Sequence, residues 1–407
     1  MSVYVVDEIM GRGKSSAAIN FINRSGTDTR WMVIVPYKTE ISRFMTACSA
    51  RHFCTPDEKG GKLRNIKPLL ESRRNIVATH ALFGMFDSEV LRLIGAGGYT
   101  LVMDEVTSVL ESITITPHDT QLLANGLVKI DDDKRVVWLD KTYTGKFDAY
   151  KEKVETRNVY EYYKNLWLSL VPPEVFTVFR DVYLMTYMFE HQMQRCYFDF
   201  IGLKYEYIHV SGDCQENYMF SGTKCESRKV DYKQMIHILH DQKMNAIGEA
   251  DYALSKTWYI RNYNAPGMAE LKNHTYNFFR NKLRSPASCN MWTAFGEDKD
   301  YGIDFHKKLS GKGYASGFIA CNAKGTNEFR SKTSLAYLIN RYPITSEQNF
   351  LKSHGIQLDS DFFALSEMLQ WIWRSAIRDG KEIAIYVPSK RMRTLLEGWI
   401  ERVRRCA

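Results

Sequence analysis

One short loop of the sequence carries residue types suited to binding phosphate. It consists of Gly11, Arg12, Gly13, Lys14, Ser15 and Ser16. A β-branched and aromatic run precedes the loop, and residues 17–21, which read as a helix, follow it. Glycines let backbone N–H groups close around phosphate oxygens, and the helix N-terminus adds its positive dipole end. We therefore predict a strand, a phosphate-binding loop and a helix, with Lys14 at the β- and γ-phosphates of ATP and Ser15 as a ligand of Mg²⁺.

The loop departs from the full phosphate-loop pattern at one position. The pattern G-x-x-x-x-G-K-[ST] has glycine where this chain has Glu8, whereas a variant with an internal glycine matches Gly11. The alternative is that the glycines form an ordinary turn before Lys-Ser and bind no phosphate. A second motif further along the chain favours the phosphate-binding interpretation.

That second motif is the acidic pair Asp104-Glu105, which ends a hydrophobic run beginning at Tyr99. An aspartate at a strand end beside a phosphate loop can hold Mg²⁺, and an adjacent glutamate can orient or deprotonate the attacking water. An acidic pair that caps the following helix is the structural alternative. The order of the two motifs favours ATP hydrolysis, with Asp104 as a metal ligand and Glu105 as the base.

Hydrophobic runs that read as buried strands recur through the first 150 residues. They lie at 4–6, 31–38, 75–83, 99–106 and 135–142. Because helical stretches separate them, we predict an α/β fold with an open, mostly parallel sheet. Ligands of such sheets bind outside the carboxyl ends of the strands, so Lys14, Thr79, Asp104, Glu105 and Thr142 should collect there.

The composition of the sequence changes after about residue 155, where aromatic residues become frequent. We expect an ATP-binding domain at 1–155 and a second α/β domain at 156–407. The stretch at about 211–285 is polar and rich in Tyr and Lys, which predicts an inserted, mainly helical subdomain. The tyrosines of this stretch can stack on bases and its lysines can bind phosphates. The simpler interpretation is that the aromatic side chains only pack in the protein core.

An amphipathic helix is predicted at 365–378. Gln370, Arg374 and Arg378 are spaced at i, i+4 and i+8, so they would line one face. The flanking Trp371 and Trp373 would be buried and would anchor the helix to the rest of the domain. A solvated basic stripe is the alternative interpretation.

Composition excludes several classes of protein. The 407 residues are enough for two domains with separate cores. The apolar fraction is 44% without an apolar run near the ~18 residues of a membrane span, so we expect no membrane partner. The N-terminus enters a strand directly, so we expect no signal peptide and a cytoplasmic location. The eight cysteines form no C-x-x-C pair, and the net charge of +8 permits a polyanionic partner.

Together these motifs resemble the core of superfamily 2 helicases, most closely the phage-type replicative and origin-binding helicases. The resemblance covers most of the chain outside about 211–285. The segments similar to motifs I, Ia, the DExx box, III, IV, V and VI are 8–15, 33–44, 104–107, 139–142, 186–189, 318–327 and 370–378. In motif VI the second arginine comes one residue late, and Trp373 and Ala376 replace glycines. No Q-motif precedes motif I.

The resemblance implies two RecA-like domains of the P-loop NTPase type, with ATP and Mg²⁺ in the cleft between them. It implies catalytic roles for Gln370, Arg374 and Arg378, with Arg374 the better candidate for an arginine finger. It also implies nucleic-acid contacts, with DNA in preference to RNA, at Lys38, Thr79, His80, Thr142, Asn322, Thr326 and Asn327. The expected function is a helicase or translocase in phage DNA replication, with replication proteins as further partners and the host cytoplasm as the location of a viral protein.

A P-loop ATPase without unwinding activity, such as a packaging terminase or a regulatory ATPase, is the second hypothesis. A terminase would add a nuclease domain with clustered aspartates at strand ends, and the C-terminal half shows no such cluster in its sequence. A small-molecule kinase would not need a second α/β lobe. ATPase activity with and without single-stranded DNA, duplex DNA and RNA separates these functions.

Overall fold

The structure is a computed structural model that describes residues 1–213, 217–224, 230–298, 301–322 and 328–406. The chain divides into two compact units. Unit 1 comprises Met1–Cys225 and Ile344–Leu358, and unit 2 comprises Glu226–Pro343 and Asp359–Ala407.

Strands and helices alternate along most of the described chain, as the sequence predicts. The strands are β1 Ser2–Asp7, β2 Arg30–Val35, β3 Ile76–Thr79, β4 Tyr99–Asp104, β5 Leu110–Thr114, β6 Val128–Ile130, β7 Val136–Trp138, β8 Asn158–Tyr163, β9 Leu166–Leu170, β10 Asp181–Thr186, β11 Glu206–Ser211, β12 Met219–Ser221, β13 Ile236–Ile238, β14 Asn290–Thr293, β15 Glu297–Asp298, β16 Ile303–Asp304, β17 Ser334–Tyr337 and β18 Ile383–Tyr386. The α-helices are α1 Lys14–Arg24, α2 Lys38–Ala47, α3 Lys62–Glu71, α4 His80–Phe83, α5 Ser88–Gly97, α6 Pro117–Ala124, α7 Asp148–Thr156, α8 Glu174–Thr177, α9 Met193–Phe200, α10 Tyr232–Met235, α11 Gln242–Asn245, α12 Lys256–Asn262, α13 Pro266–Asn277, α14 Phe305–Leu309, α15 Thr345–Ser353, α16 Ser360–Ile372 and α17 Lys390–Cys406.

Unit 1 is built on a seven-stranded sheet in the order β12-β11-β1-β10-β4-β2-β3. Every neighbouring pair is parallel except β11 and β12. The five residues from Trp31 to Val35 and the five from Tyr99 to Met103 are all buried, as expected for parallel strands covered on both faces. The predicted α/β class with parallel sheets is confirmed.

The fifth predicted strand, at 135–142, is not part of this sheet. Its central residues form β7, which pairs only with β6 in a two-stranded antiparallel sheet. Val136 and Trp138 are buried while Leu139 is 51% exposed, so the segment buries one face rather than two. It packs with β8, β9 and α7 in a separate apolar cluster. All residues of this cluster lie between β4 and β10 along the chain.

The strand that does complete the central sheet is β10, which lies between β1 and β4. The sequence placed a domain boundary at 155/156, and residues 181–186 in the second domain. In the structure, residues 156–225 belong to unit 1, because β10 and β11 pair with β1 on its two sides.

Unit 2 has a four-stranded parallel sheet in the order β13-β18-β17-β14. Its core gathers Trp292, Tyr259, Leu271, Tyr314 and Tyr386, all of them at most 1% exposed. The inserted helical subdomain was expected at about 211–285. Its described residues before 225 belong to unit 1 and include β12, whereas 230–285 lie in unit 2 and are mostly helical. This second part also supplies β13, so it belongs to the body of unit 2. At the start of the segment similar to motif V, 318–327, Phe318 forms an isolated parallel bridge with Trp292.

None of the helices within the described ranges combines the length and the apolar character needed to cross a membrane.

Arg391, in the first turn of α17, joins three elements of unit 2. Its guanidinium donates to the Asp361 carboxylate at 2.7 Å, the Asn340 side-chain oxygen at 2.9 Å, the Arg341 carbonyl at 2.7 Å and the Ser360 carbonyl at 2.8 Å. Its side chain is only 16% exposed. Charge-assisted hydrogen bonds of this kind are the strong ones, so Arg391 holds the end of β17 against the starts of α16 and α17.

We predict that Arg391→Met lowers the free energy of unfolding by about 2–4 kcal/mol, because four acceptors, among them the buried side chain of Asn340, lose their donor at once. Urea denaturation measures this change. Lys390→Met is the matched control, since the neighbouring Lys390 side chain is 63% exposed and should change stability by less than about 0.5 kcal/mol. Equal unfolding midpoints for the two variants would contradict the role given to Arg391.

Candidate functional site

The predicted strand, loop and helix are present at the N-terminus of unit 1. β1 ends at Asp7 and α1 begins at Lys14, so the loop delivers the N-terminus of a helix to the carboxyl edge of the sheet. Gly11 and Gly13 have φ of 83° and 85°, a left-handed conformation that favours glycine. The two glycines therefore set the curvature of a loop that can wrap around an anion.

Lys14 is folded onto the loop itself. Its ammonium donates to the carbonyl oxygen of Glu8, and to that of Ile9 at 3.3 Å. Burial lowers the pKa of Lys14, and the carboxylates of Asp104 and Asp7 partly oppose that shift. A lysine held by loop carbonyls and nearby carboxylates is positioned to meet an anion that enters the loop.

Ser15 and Asp104 meet across the sheet edge, as the sequence predicts. The Ser15 hydroxyl donates to Asp104 Oδ2 at 3.3 Å, which joins α1 to the end of β4. Burial raises the pKa of Asp104 to about 6, and the neighbouring charge of Glu105 adds to the shift. A hydroxyl and a carboxylate are the oxygen ligands that Mg²⁺ prefers, so the pair fits a metal bound together with substrate phosphates.

Glu105 lies beside this pair in a conformation that non-glycine residues rarely adopt. Its φ is 67°, and its backbone N–H donates to the Met185 carbonyl at 2.8 Å. Its Oε2 is buried and accepts no hydrogen bond from any residue that the structure describes. Backbone strain and an unsatisfied carboxylate oxygen cost stability, and both are typical of functional positions.

The contribution of β10 to this edge was not predicted from the sequence. The Asp7 carboxylate accepts from the backbone N–H groups of Met188 at 2.7 Å and Phe189 at 3.0 Å, and burial raises the pKa of Asp7. The Thr186 hydroxyl donates to the Gln192 side-chain oxygen at 2.9 Å. The strand at 181–189 was recognisable from its hydrophobic run, but its place between β1 and β4 was not.

The residues predicted to contact nucleic acid in unit 1 separate into two groups. Lys38 and Thr79 line one cavity of about 520 Å³, together with Thr55 and Lys62. His80 begins α4, and its Nε2 lies 2.8 Å from the Asp104 carbonyl oxygen. Thr142 lies apart from them in the small antiparallel region, because β7 is not a strand of the main sheet.

The predicted helix at 365–378 ends early, which corrects one interpretation. α16 ends at Ile372, and Arg378 lies in a short 3₁₀ turn at Ala376–Asp379. Gln370, Arg374 and Arg378 therefore do not share one helical face. Arg374 is buried at 5% exposure and Arg378 is exposed, so the basic stripe predicted as an alternative is not formed either.

The expected packing of the two tryptophans in this segment is confirmed, since Trp371 is 0% and Trp373 is 4% exposed. In the segment similar to motif V, 318–327, Asn322 is exposed. Thr326 and Asn327 lie outside the described residues. In the part of the chain that the structure covers, no group of three or more His, Cys, Asp or Glu side chains is placed to hold a metal ion.

The raised pKa of Asp104 leads to a prediction about stability. Burial raises the pKa of Asp104 from 3.8 to about 6, so the ionised carboxylate destabilises the folded protein in full above about pH 6. The cost shrinks as the pH falls between these two pKa values and is nearly gone at pH 4, where the group becomes protonated in the unfolded state as well. Asp104→Asn should therefore raise the free energy of unfolding by about 1–3 kcal/mol at pH 7 and have little effect at pH 4. Urea denaturation at the two pH values, without nucleotide, measures this difference.

The control for this prediction is Asp140→Asn. Hydrogen bonds from Thr142 lower the pKa of Asp140, so the same substitution should not stabilise the protein there. A loss of stability in Asp104→Asn at pH 7 would show that the carboxylate is a net stabilising group.

Comparisons with known proteins place the chain in a family without assigning an activity. Residues 230–400 match a family model described as the YonV C-terminal Rossmann-like domain. A solved structure of S. tokodaii Xpd4 is similar over 98% of this chain and 94% of that chain, with 11% identity and a TM-score of 0.49. The chain is 36% identical to the SPbeta prophage-derived uncharacterized protein YonV of Bacillus subtilis (strain 168), over 99% of each chain. Identity at this level along the whole length shows that the chain belongs to the YonV family.

Proposed function

We propose that the chain is an ATP-hydrolysing enzyme that acts on nucleic acid as a helicase or translocase, with DNA as its substrate in phage DNA replication. One observation carries the proposal. Ser15 and Asp104 lie 3.3 Å apart, next to the strained Glu105, at the carboxyl edge of a parallel sheet. That combination suits hydrolysis of a nucleoside triphosphate, because a loop for phosphates, oxygen ligands for a metal and a carboxylate for water meet at one place.

Each residue of the edge has a distinct task in this proposal. The backbone of Gly11, Arg12 and Gly13 surrounds the phosphates, together with the first turn of α1 at Ser15 and Ser16. Lys14 exchanges its loop carbonyl partners for phosphate oxygens. Ser15 and Asp104 hold Mg²⁺, which when bound neutralises charge that develops on the phosphates.

Glu105 acts as the base in this proposal. Its buried Oε2 can accept a hydrogen bond from a water molecule and orient that water toward the terminal phosphate. The positive φ of Glu105 shows that its backbone leaves the extended conformation directly after β4 ends at Asp104.

Nucleic-acid binding and the roles of the unit 2 residues stay predictions from the helicase resemblance. Lys38 and Thr79 share a cavity of unit 1 in which Glu58 pairs with Lys38, so a nucleic-acid phosphate there would have to replace that carboxylate. Gln370, Arg374 and Arg378 keep their proposed roles in hydrolysis, although the helical-face argument for them does not hold.

We predict that Glu105→Gln binds ATP with near wild-type affinity and hydrolyses it ~10²–10⁴ times more slowly, because the loss of a positioned base has that effect. Lys14→Ala should lose ATP binding as well as turnover. Lys164→Ala, which changes an exposed lysine of unit 1, should do neither. Binding of a fluorescent ATP analogue and release of phosphate measure the two effects separately.

The base assignment is wrong if Glu105→Gln loses affinity for ATP but keeps wild-type turnover per bound nucleotide. Glu105 would then be a nucleotide-binding or structural group. Wild-type turnover in folded Lys14→Ala would refute the phosphate-loop assignment itself.

The helicase activity requires its own test. We expect single-stranded DNA to stimulate ATP hydrolysis, and ATP to drive displacement of a labelled strand from a partial duplex. We also expect binding to weaken steeply with salt, because each phosphate neutralised releases counterions. Stimulated hydrolysis without strand displacement would favour the ATPase without unwinding activity, and hydrolysis that no polynucleotide affects would contradict the nucleic-acid substrate.

A further inference from the structure

The β11–β12 hairpin of unit 1 lies directly against the phosphate loop. His209 Nδ1 is 3.1 Å from Glu8 Oε1, and the Arg12 guanidinium donates to the Gly212 carbonyl at 3.3 Å. Gly212 has φ of 98°, and a side chain there would collide with the backbone of Asn217. The close approach of Gly212 to Asn217 and the pairing of β11 with β12 keep the start of β12 near the loop.

Tyr218, just before β12, contacts one of the two loop glycines, Gly13. A Cβ atom built on Gly13 would lie only 2.5 Å from Tyr218 Cδ2, so the ring packs on the bare backbone of Gly13. The Asn20 side chain of α1 donates to the Tyr218 carbonyl at 2.9 Å and fixes this position. Tyr218 is half-buried: it packs against the core of unit 1, and its hydroxyl donates to the Asp213 carbonyl at 3.4 Å.

The strand order indicates which part of a nucleotide would meet this ring. Ser15 contacts Asp104 at the end of β4, which is two strands from β1 on the β10 side. The terminal phosphate and metal therefore belong on that side. β11 is the neighbour of β1 on the opposite side, so the hairpin borders the end of the phosphate loop that is distant from Glu105.

We propose that Tyr218 forms a wall of the nucleobase subsite and stacks on the base of the bound nucleoside triphosphate. Packing on Gly13 fixes the position of the Tyr218 ring relative to the phosphate loop. An aromatic ring in a fixed position can form an offset stack with a purine base. The inference rests on the proposed function, since it needs a nucleotide in the loop. It supplies a base-recognition residue that the sequence left unassigned, because no Q-motif precedes the loop.

The test compares two ligands that share phosphates but differ in the presence of a nucleoside. Binding of ATP and of inorganic tripolyphosphate, each with Mg²⁺, is measured by calorimetry for the wild type and for Tyr218→Ala, Tyr218→Phe and Tyr163→Ala. We expect Tyr218→Ala to weaken ATP binding by about tenfold and to leave tripolyphosphate binding unchanged, because only the stacked base is lost. Tyr218→Phe keeps the ring and should bind both ligands normally. Tyr163→Ala removes a tyrosine of unit 1 that is 63% exposed and should have no effect.

The tripolyphosphate measurement also reports whether the loop is intact. If Tyr218→Ala weakens both ligands equally, Tyr218 only supports the shape of the loop and the proposal is overturned. An unchanged affinity for ATP overturns it as well. If wild-type protein binds neither ligand, or if Lys14→Ala binds both normally, the phosphate-loop function fails first and the base subsite fails with it.

Discussion

Insertion of β10 between β1 and β4 is the constraint on which the site of unit 1 depends. The register aligns Asp7 with Thr186 and Asp104 with Met185, so three parallel strands end at the same edge. Two backbone N–H groups after β10 donate hydrogen bonds to the Asp7 carboxylate, and the Met185 carbonyl accepts from the backbone N–H of Glu105. β10 is the strand that connects β1, which leads into the phosphate loop, with β4, which ends in the acidic pair. Backbone hydrogen bonding along β10 therefore sets the distance between Ser15 and Asp104.

The same edge concentrates charges that the folded protein does not easily accommodate. Burial opposes the charged forms of Lys14 and Asp104, and it raises the pKa of Asp7 as well. Burying a charge costs free energy unless a partner compensates. Lys14 offsets part of the cost by its proximity to the carboxylates, and the rest falls on the stability of unit 1. The hydrophobic strands around the edge supply that stability, since their side chains are almost completely buried.

Unit 2 uses its charged residues differently. Arg391 is saturated by acceptors from α16 and from the end of β17, and Arg341 pairs with Glu367 at 2.7 Å. Such arginines tie helices to the carboxyl ends of the strands, where the parallel sheet leaves loop carbonyls to be satisfied. Neither arginine belongs to a recognisable motif in the sequence: Arg341 follows a hydrophobic run, and Arg391 lies in the first turn of α17. Their carboxylate partners are 26 and 30 positions away in the sequence, and only the packing of the helices brings them together.

The sequence by itself determined the local chemistry of unit 1. Glycines before Lys14 dictate a loop with positive φ, and a hydrophobic run that ends in Asp104-Glu105 dictates carboxylates at a strand end. These are short-range consequences of backbone sterics and burial, and the parallel α/β class follows from the same pattern. Tertiary structure alone decided that β10 rather than 135–142 completes the sheet, that Tyr218 packs on Gly13, and that α16 ends before Arg374. Strand order and helix termination depend on which distant surfaces bury each other, and hydrophobic periodicity within a segment carries no information about the identity of its neighbour.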